Sequence, residues 1–126
     1  MSAAVADYRP VVVAESKIKK KAAALHLDLE PTEDILAWMG AHKPKGQVLV
    51  GFALETDDAE ANAQGKLERK RLDLIVLNSL KDVGAGFGYD TNMVTLIGRD
   101  TKPVALPLLS KADVARAILD RVEALL

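Results

Sequence analysis

A Rossmann-like α/β sheet, three layers deep with helices on its faces, is the fold this sequence predicts. Three observations carry that expectation. Residues 47–55 and 73–78 are two runs of nearly continuous apolar sequence, the composition of strands covered on both faces. A charged segment of helical length separates them, so the three make a βαβ unit with parallel strands. The closing segment opens on Ser110 and Asp113 and then repeats apolar residues at helical spacing. A parallel sheet with an appended antiparallel strand pair is expected, in a single domain over residues 1–126.

Taken in order, residues 3–6 read as a short buried strand of small residues, and residues 11–14 as an exposed β-prone strand leading into a lysine run. Residues 25–29 alternate strictly between apolar and polar, which predicts a half-buried strand. Pro31 and Thr32 then open a helix, with Thr32 as its cap and Glu33 and Asp34 favourable in the first turn. Ile35, Leu36 and Met39 form its buried face, and Gly40 helps to stop it. The strand over 47–55 is expected to be central. Thr56 is positioned to cap the next helix, with Asp57 and Asp58 at its positive end, and that helix runs to about Arg71. After the strand over 73–78, residues 81–91 hold three glycines and read as a loop. Residues 92–98 and 104–109 form an antiparallel pair, turning over 100–103. Val114, Ile118, Leu119 and Val122 line one face of the last helix.

The composition excludes several classes of function. A chain of 126 residues, 49% hydrophobic and 28% charged, can bury one ordinary globular core. Its net charge of −1 gives no general attraction to nucleic acid or to an anionic membrane, so neither is expected as a partner. There is no cysteine, hence no disulfide, no thiolate nucleophile and no cysteine-based metal site. No apolar run reaches the roughly 18 residues of a membrane span, and the amino terminus lacks the pattern of a secretory signal. A cytoplasmic location follows from these features.

Eight short motifs then occur in order: Ala3 to Asp7, Lys17 to Lys20, Asp34 to Leu36, Val50 to Thr56, Lys66 with Lys70, Asp73 to Asn78, Gly86 to Asn92, and Ser110 to Ala115. Each is weak alone. Together, at this spacing, they closely resemble the carboxyl-terminal part of bacterial phosphopantothenate–cysteine ligase, the synthetase domain of a bifunctional decarboxylase and ligase of coenzyme A biosynthesis. That resemblance covers essentially the whole chain. It implies a Mg²⁺-assisted ligase that joins 4′-phosphopantothenate to cysteine through an acyl-cytidylate formed from CTP. Under it, Lys17 is the flap lysine that closes over phosphates and intermediate, and Asp7 lies beside the nucleotide; these two are the catalytic candidates. Ala3 approaches the nucleotide through its backbone. Asp34, Ile35 and Phe52 form the cytidine pocket, and Lys66 and Lys70, neighbours on one helix face, meet the nucleotide. No metal-ligand set is assigned.

Two departures from that pattern matter. The Asn-Pro-Asp-Ile segment common in the family stands here as Thr32, Glu33, Asp34 and Ile35. The family's first βα unit, with its glycine-rich turn, has no counterpart before Met1, so the sheet is expected to be incomplete at its amino-terminal edge. Exposed sheet surface of that kind drives association, and a homodimer is expected. The flavin-dependent decarboxylase has no counterpart either, so FMN is not expected here. The alternative is a non-catalytic fragment, binding nucleotide or serving only in assembly; a plain Rossmann-like module for another nucleotide is a third reading.

Simpler readings stand beside these. Lys17 to Lys21 hold four lysines in five positions, and a charge run of that kind is otherwise a solvated loop. The segment from about Val12 to Lys21 is expected to be mobile until a polyanion orders it. Lys66 and Lys70 can be surface lysines, Phe52 a core residue and Asp7 the start of a turn. His26 and His42 lack companion ligands at metal spacing. Gly84, Gly86 and Gly88 do not open a helix after a strand, so they read as a turn-rich loop and not as a phosphate loop. Trp38 packs against a neighbour or a subunit interface.

Overall fold

A computed structural model describes residues 5–19, 26–79 and 88–126. They fall into two units, residues 1–35 and residues 36–126.

The first unit is organised by a short antiparallel ribbon, β1 (Tyr8–Pro10) against β2 (Leu29–Pro31), with Arg9 opposite Glu30. The Arg9 guanidinium donates to Glu30 Oε1 at 2.8 Å, an exposed pair that contributes little by itself. Backbone bonds extend the ladder by one step at each end, Val11 N–H to the Asp28 carbonyl and Thr32 N–H to the Asp7 carbonyl, both 2.9 Å. The first strand thus ends just before the one expected at 11–14, and the second overlaps the one expected at 25–29 only at Leu29. Residues 11–19 form no strand because the ladder stops at Asp28, and Val12 and Val13 stay exposed. Leu27 and Leu29 are exposed too, since a ribbon this short has no second layer of its own to bury them. Val5 and Ala6 belong to no strand and are exposed; the rest of the expected strand over 3–6, with Ala3, lies outside the described residues, as do Lys20, Lys21 and Leu25. Thr32 does not cap the following helix. Its hydroxyl donates instead to the Ala6 carbonyl, and the helix begins three residues later, at Ile35.

The second unit holds a four-stranded mixed sheet in the order β3 (Val50–Glu55), β4 (Leu74–Ser79), β6 (Val94–Gly98), β7 (Val104–Ala105). Only β3 and β4 run parallel, joined through helix α2 (Ala59–Arg69); the other two pairings are antiparallel. The expected parallel sheet is therefore parallel in one pairing among the described residues. The antiparallel β6–β7 pair is the appended one, and β5 (Thr91–Asn92) pairs separately with β8 (Leu109–Ser110). Residues 80–87, with most of the glycine-rich loop, lie outside the described residues.

Helices cover both faces of this sheet. On one, Ala63 and Leu67 of α2 pack on Ala53, Ile75, Leu77 and Ile97, with Leu36 and Met39 of α1 (Ile35–Ala41) half-buried alongside. On the other, Val114 of α3 (Lys111–Glu123) packs on Leu74, Val76, Val94 and Leu96, with Ile118 and Val122 at the margin. Period-two alternation along β4 sends successive side chains to the two cores, which is why its whole run is apolar. The run in β3 has a different cause. That strand has a neighbour on one side only among the described residues, and Phe52 and Leu54 point away from α2 and remain exposed, Phe52 at 66%. Among the described residues the interior strands of this sheet are β4 and β6, and β3, expected to be central, lies at its edge. Leu119 is likewise not on the buried face of α3 but 64% exposed; the helix packs on the sheet through Val114, Ile118 and Val122.

Caps follow from where the side chains find partners. Ser110 caps α3 as expected: its Oγ accepts the Asp113 N–H at 3.1 Å and its hydroxyl donates to Asp113 Oδ2 at 2.6 Å. Thr56 does not cap α2; its hydroxyl reaches Asp57 Oδ2, and Asp58 takes the cap position with a left-handed backbone. At the other end α2 closes in a Schellman turn, Leu72 N–H to the Leu67 carbonyl at 2.9 Å and Arg71 N–H to the Glu68 carbonyl at 3.1 Å. Arg71 carries the positive φ of 51° that glycine usually takes there, and fully buried Leu67 and Leu72 sit across the turn in one core. Gly40 does not stop α1. It lies within that helix, buried, where any Cβ would run into the carbonyl of Lys70.

Two glycines should therefore respond in opposite ways. Gly40→Ala is expected to cost about 2–3 kcal/mol, since backbone must move to admit a methyl group. Gly65→Ala, inside α2 with only the tip of Arg69 at 3.4 Å, is expected to stabilise by about 0.5–1 kcal/mol. Urea unfolding of the two variants checks both signs.

Candidate functional site

Parallel strands feeding helices leave a crevice outside their carboxyl ends, where backbone and side-chain polar groups face solvent instead of the core. In the second unit that edge is formed by Glu55 and Ser79, which are register partners, with Leu54 beside Asn78. Glu55 ends β3 on the side that faces α2. Lys66 stands on α2, and since helical side chains lean toward their own amino terminus, it reaches back to this edge. Its Nζ meets Glu55 Oε1 at 2.5 Å. Asn62 fixes the same corner, donating to the Asp57 carbonyl at 2.9 Å and weakly to Glu55 Oε2 at 3.5 Å. On the other face of the sheet the Asn92 amide donates to Asn78 Oδ1 at 2.6 Å, and Asn92 Oδ1 accepts the Met93 N–H at 3.0 Å. Two polar pairs thus close the carboxyl ends of β3 and β4, one on each face.

The sequence-predicted residues distribute as follows. Asp7 is exposed, and its carbonyl binds Thr32 N–H, so the ribbon brings Asp7 beside the segment carrying Asp34 and Ile35. Lys17 is exposed on the irregular stretch over 11–19, and Ala3 lies outside the described residues. Lys66 is at the carboxyl edge. Lys70 ends α2 one turn further on, its N–H bonded to the Lys66 carbonyl at 3.0 Å. Phe52 lies on the opposite face of β3 from α2, so it shares no sheet face with Lys66. Sequence reasoning included Glu55, Asn78 and Asn92 in its motifs but gave them no role, and it did not single out Asn62. The available signal was a polar residue closing each apolar strand run, Glu55 in one and Asn78 in the other. His26 is exposed, while His42 stacks on Trp38 at 4.3 Å and hydrogen-bonds the Trp38 carbonyl at 2.8 Å, which gives Trp38 its neighbour. Among the described residues no three His, Cys, Asp or Glu side chains are placed to hold a metal ion, and no helix is long and apolar enough to cross a membrane.

The amino ends of the same strands are closed more tightly. The Asp73 carboxylate accepts Lys43 Nζ at 2.7 and 2.6 Å and the Leu49 N–H at 2.7 Å, while Asp73 N–H binds the Leu49 carbonyl at 2.9 Å. Arg99 Nε donates to the Leu72 carbonyl at 2.6 Å beside it. Burial alone would raise the Asp73 carboxyl. The hydrogen bonds from Lys43 and Leu49, with the charges of Lys43 and Arg99, outweigh it and hold the group below its ordinary value of 3.8.

The second unit is thus a mixed α/β domain built on one βαβ unit, with its polar side chains gathered at the strand ends. The chain belongs to the family of the DNA/pantothenate metabolism flavoprotein C-terminal domain, whose model matches residues 1–126. It is 49% identical over 124 residues to the coenzyme A biosynthesis bifunctional protein CoaBC of Bacillus subtilis (strain 168), covering 98% of this chain and 30% of that protein. The CoaBC of Escherichia coli (strain K12) is 40% identical over 123 residues, covering 95% of this chain and 30% of that protein. A protein named cysteine/cysteine sulfinic acid decarboxylase, from an unknown prokaryotic organism, is 49% identical over 122 residues, covering 97% of this chain and 34% of that protein. Among solved structures, the C-terminal domain of a CoaBC superposes with a TM-score of 0.72 at 38% identity, covering 98% of this chain and 52% of that one. The chain spans about a third of the length of the curated relatives it matches.

The Asp73 cluster makes a pH prediction. Its carboxyl is depressed in the folded state, so between the folded and unfolded values the unfolded chain binds more protons, and stability rises with pH there. The contribution is complete above the ordinary value of 3.8 and is lost as pH falls through the lower, folded one. Asp73→Asn is expected to cost about 1–3 kcal/mol at neutral pH and to flatten the acid limb of stability. Denaturant midpoints measured from neutral pH into that acid limb check it.

Proposed function

We propose that this domain is the CTP-dependent phosphopantothenate–cysteine ligase module of coenzyme A biosynthesis. The observation that carries the reading is the match of nearly the whole chain to about a third of the length of proteins named for that pathway, and to the family of a C-terminal domain. A carboxylate and an amine do not condense in water, so the carboxyl of 4′-phosphopantothenate must first become a better acyl donor. Its oxygen attacks the α-phosphorus of CTP, the bond to the β-phosphate oxygen breaks, and pyrophosphate leaves, giving an acyl-cytidylate. The cysteine amine then attacks the acyl carbon, CMP departs, and the amine proton goes to solvent or a nearby base.

Charge governs both steps. Lys66 at the carboxyl edge supports the reading because a cation there offsets negative charge on a triphosphate. Lys17 and Lys70 add to it, with Lys17 closing over phosphates and intermediate. Asp7 and the backbone of Ala3 border the nucleotide. The resemblance assigns Asp34, Ile35 and Phe52 to the cytosine, and the exposed Phe52 ring suits stacking on a base. No described acidic trio cages a metal, and Mg²⁺ entering on the triphosphate needs none, since it takes most of its ligands from phosphate and water. When bound it supplies charge neutralisation. We further read the fold as a Rossmann-type variant. The exposed Tyr8 and Leu29 of the β1–β2 ribbon, with Leu27 just before it, support a homodimer as the working form.

The test is amide formation from 4′-phosphopantothenate, cysteine and Mg·CTP by the full-length gene product, followed as pyrophosphate release. CTP is expected to be preferred over ATP. Lys17→Gln is expected to lower kcat at least tenfold with an unchanged unfolding midpoint. Activity at the native level in that variant removes Lys17 from the mechanism; failure to release pyrophosphate with any nucleotide overturns the ligase reading. Sedimentation as a monomer at micromolar concentration overturns the dimer.

A further inference from the structure

We infer that Glu55 is a positioning residue, holding the Lys66 ammonium at the carboxyl edge of β3 so that it meets the phosphates of an incoming nucleoside triphosphate already oriented. The inference rests on the nucleotide reading above and adds a residue that neither the sequence motifs nor that reading assigned a role.

Four observations carry it. Glu55 is the last residue of β3 and lies on the strand face that packs against α2, so its carboxylate stands at the carboxyl edge of the strand. The two partners are unequally buried, the Glu55 side chain 14% exposed and Lys66 36%, so the acid is the anchor and the ammonium the outward group. The anchor is itself braced. Asn62 reaches Glu55 Oε2 from α2 while its amide is tied to the Asp57 carbonyl, and its own N–H binds the Asp58 carbonyl at 2.9 Å. Lastly, an ammonium has three N–H donors, and only the bond to Glu55 is made by Lys66 among the described residues, which leaves two for phosphate oxygens.

Two physical effects compete. A free lysine loses its rotamer freedom when it clamps an anion, and Glu55 removes that loss in advance. Against this, a carboxylate near a triphosphate repels it. The ion pair itself decides between them: the ammonium in contact with Glu55 offsets the charge of a carboxylate that is the less exposed partner, so pre-orientation outweighs repulsion. An amide in place of the carboxylate would keep the accepting oxygen, and with it most of the orientation.

The experiment measures KM for Mg·CTP and kcat at saturation in the full-length gene product, for Glu55→Ala, Glu55→Gln, Lys66→Met and the double variant Glu55→Ala with Lys66→Met. Glu55→Ala is expected to raise KM about tenfold with kcat within twofold, because orientation affects ground and transition states alike. Glu55→Gln is expected to stay within about threefold of native. In the Lys66→Met background, Glu55→Ala is expected to add nothing. A native KM in Glu55→Ala, a tenfold tighter KM in Glu55→Gln, or an undiminished effect of Glu55→Ala without Lys66 each overturns the positioning role while leaving the nucleotide reading in place. A native KM in Lys66→Met overturns both. Should Glu55→Ala fail to fold, Glu55→Asp, one methylene short, is expected to raise KM in the same way, and a native KM there counts against the proposal.

Discussion

The Asp73 carboxylate sets the register on which the second unit depends. It stands just before β4, accepts the Leu49 N–H just before β3, and takes the Lys43 ammonium that follows α1. Three segments are thereby tied at one point. Because side chains alternate along a strand, a slip of one residue in the β3–β4 pairing would turn Ala53 outward and Phe52 inward against α2. It would also carry Glu55 to the wrong face. The polar tie at one end of the strands therefore decides which groups can meet at the other.

Packing reinforces the same register. Gly40 lets α1 come against the carbonyl that ends α2, and at Gly51 a Cβ would lie 2.5 Å from Leu72. Leu67 and Leu72, fully buried across the Schellman turn, join the end of α2 to the approach to β4. Of these contacts only the Leu67–Leu72 turn is local in sequence; the others join segments more than twenty residues apart. The carboxyl edge is closed by part-buried polar pairs as well, but without apolar contacts of this kind beside them among the described residues: Lys66 with Glu55 on one face and Asn92 with Asn78 on the other. Rigidity at one edge and polar pairs at the other is the arrangement expected of a scaffold that positions a ligand without burying it.

How much of this could be read from the sequence depended on whether the deciding interaction was local. Strand β4 was legible because a strand covered on both faces must be apolar throughout, and Ser110 announced α3 because its partner, Asp113, is three residues away. The same apolar rule misjudged β3, since Phe52 and Leu54 are exposed and composition alone cannot tell a covered face from an open one. Thr32 and Thr56 looked like caps; one hydroxyl went to Ala6, 26 residues away, and the other to a neighbouring carboxylate. In the first unit, the three valines at 11–13 suggested a strand, yet pairing was settled by Arg9, Glu30 and Thr32, whose partners lie more than twenty residues off. At the candidate site Lys66 was visible as a lysine on a helix face. Its partnership with Glu55 was not, because it depends on a helix leaning back over the strand that precedes it.

The asymmetry between the two edges has a consequence for how this domain can change over evolutionary time. The linker from Lys43 to Leu49 is stapled at both ends to Asp73, so a residue gained or lost within it must be absorbed by a segment only a few residues long. The connection at 56–58 is exposed, and the ties of its Asp57 and Asp58 carbonyls run to Asn62 on the helix that follows it, not to a second strand. Relatives of this chain should therefore differ in length mainly on the carboxyl side of the sheet and keep the opposite side invariant in length. Diversification of ligand preference would then proceed by growing and shrinking the loops on one edge while the other preserves the frame.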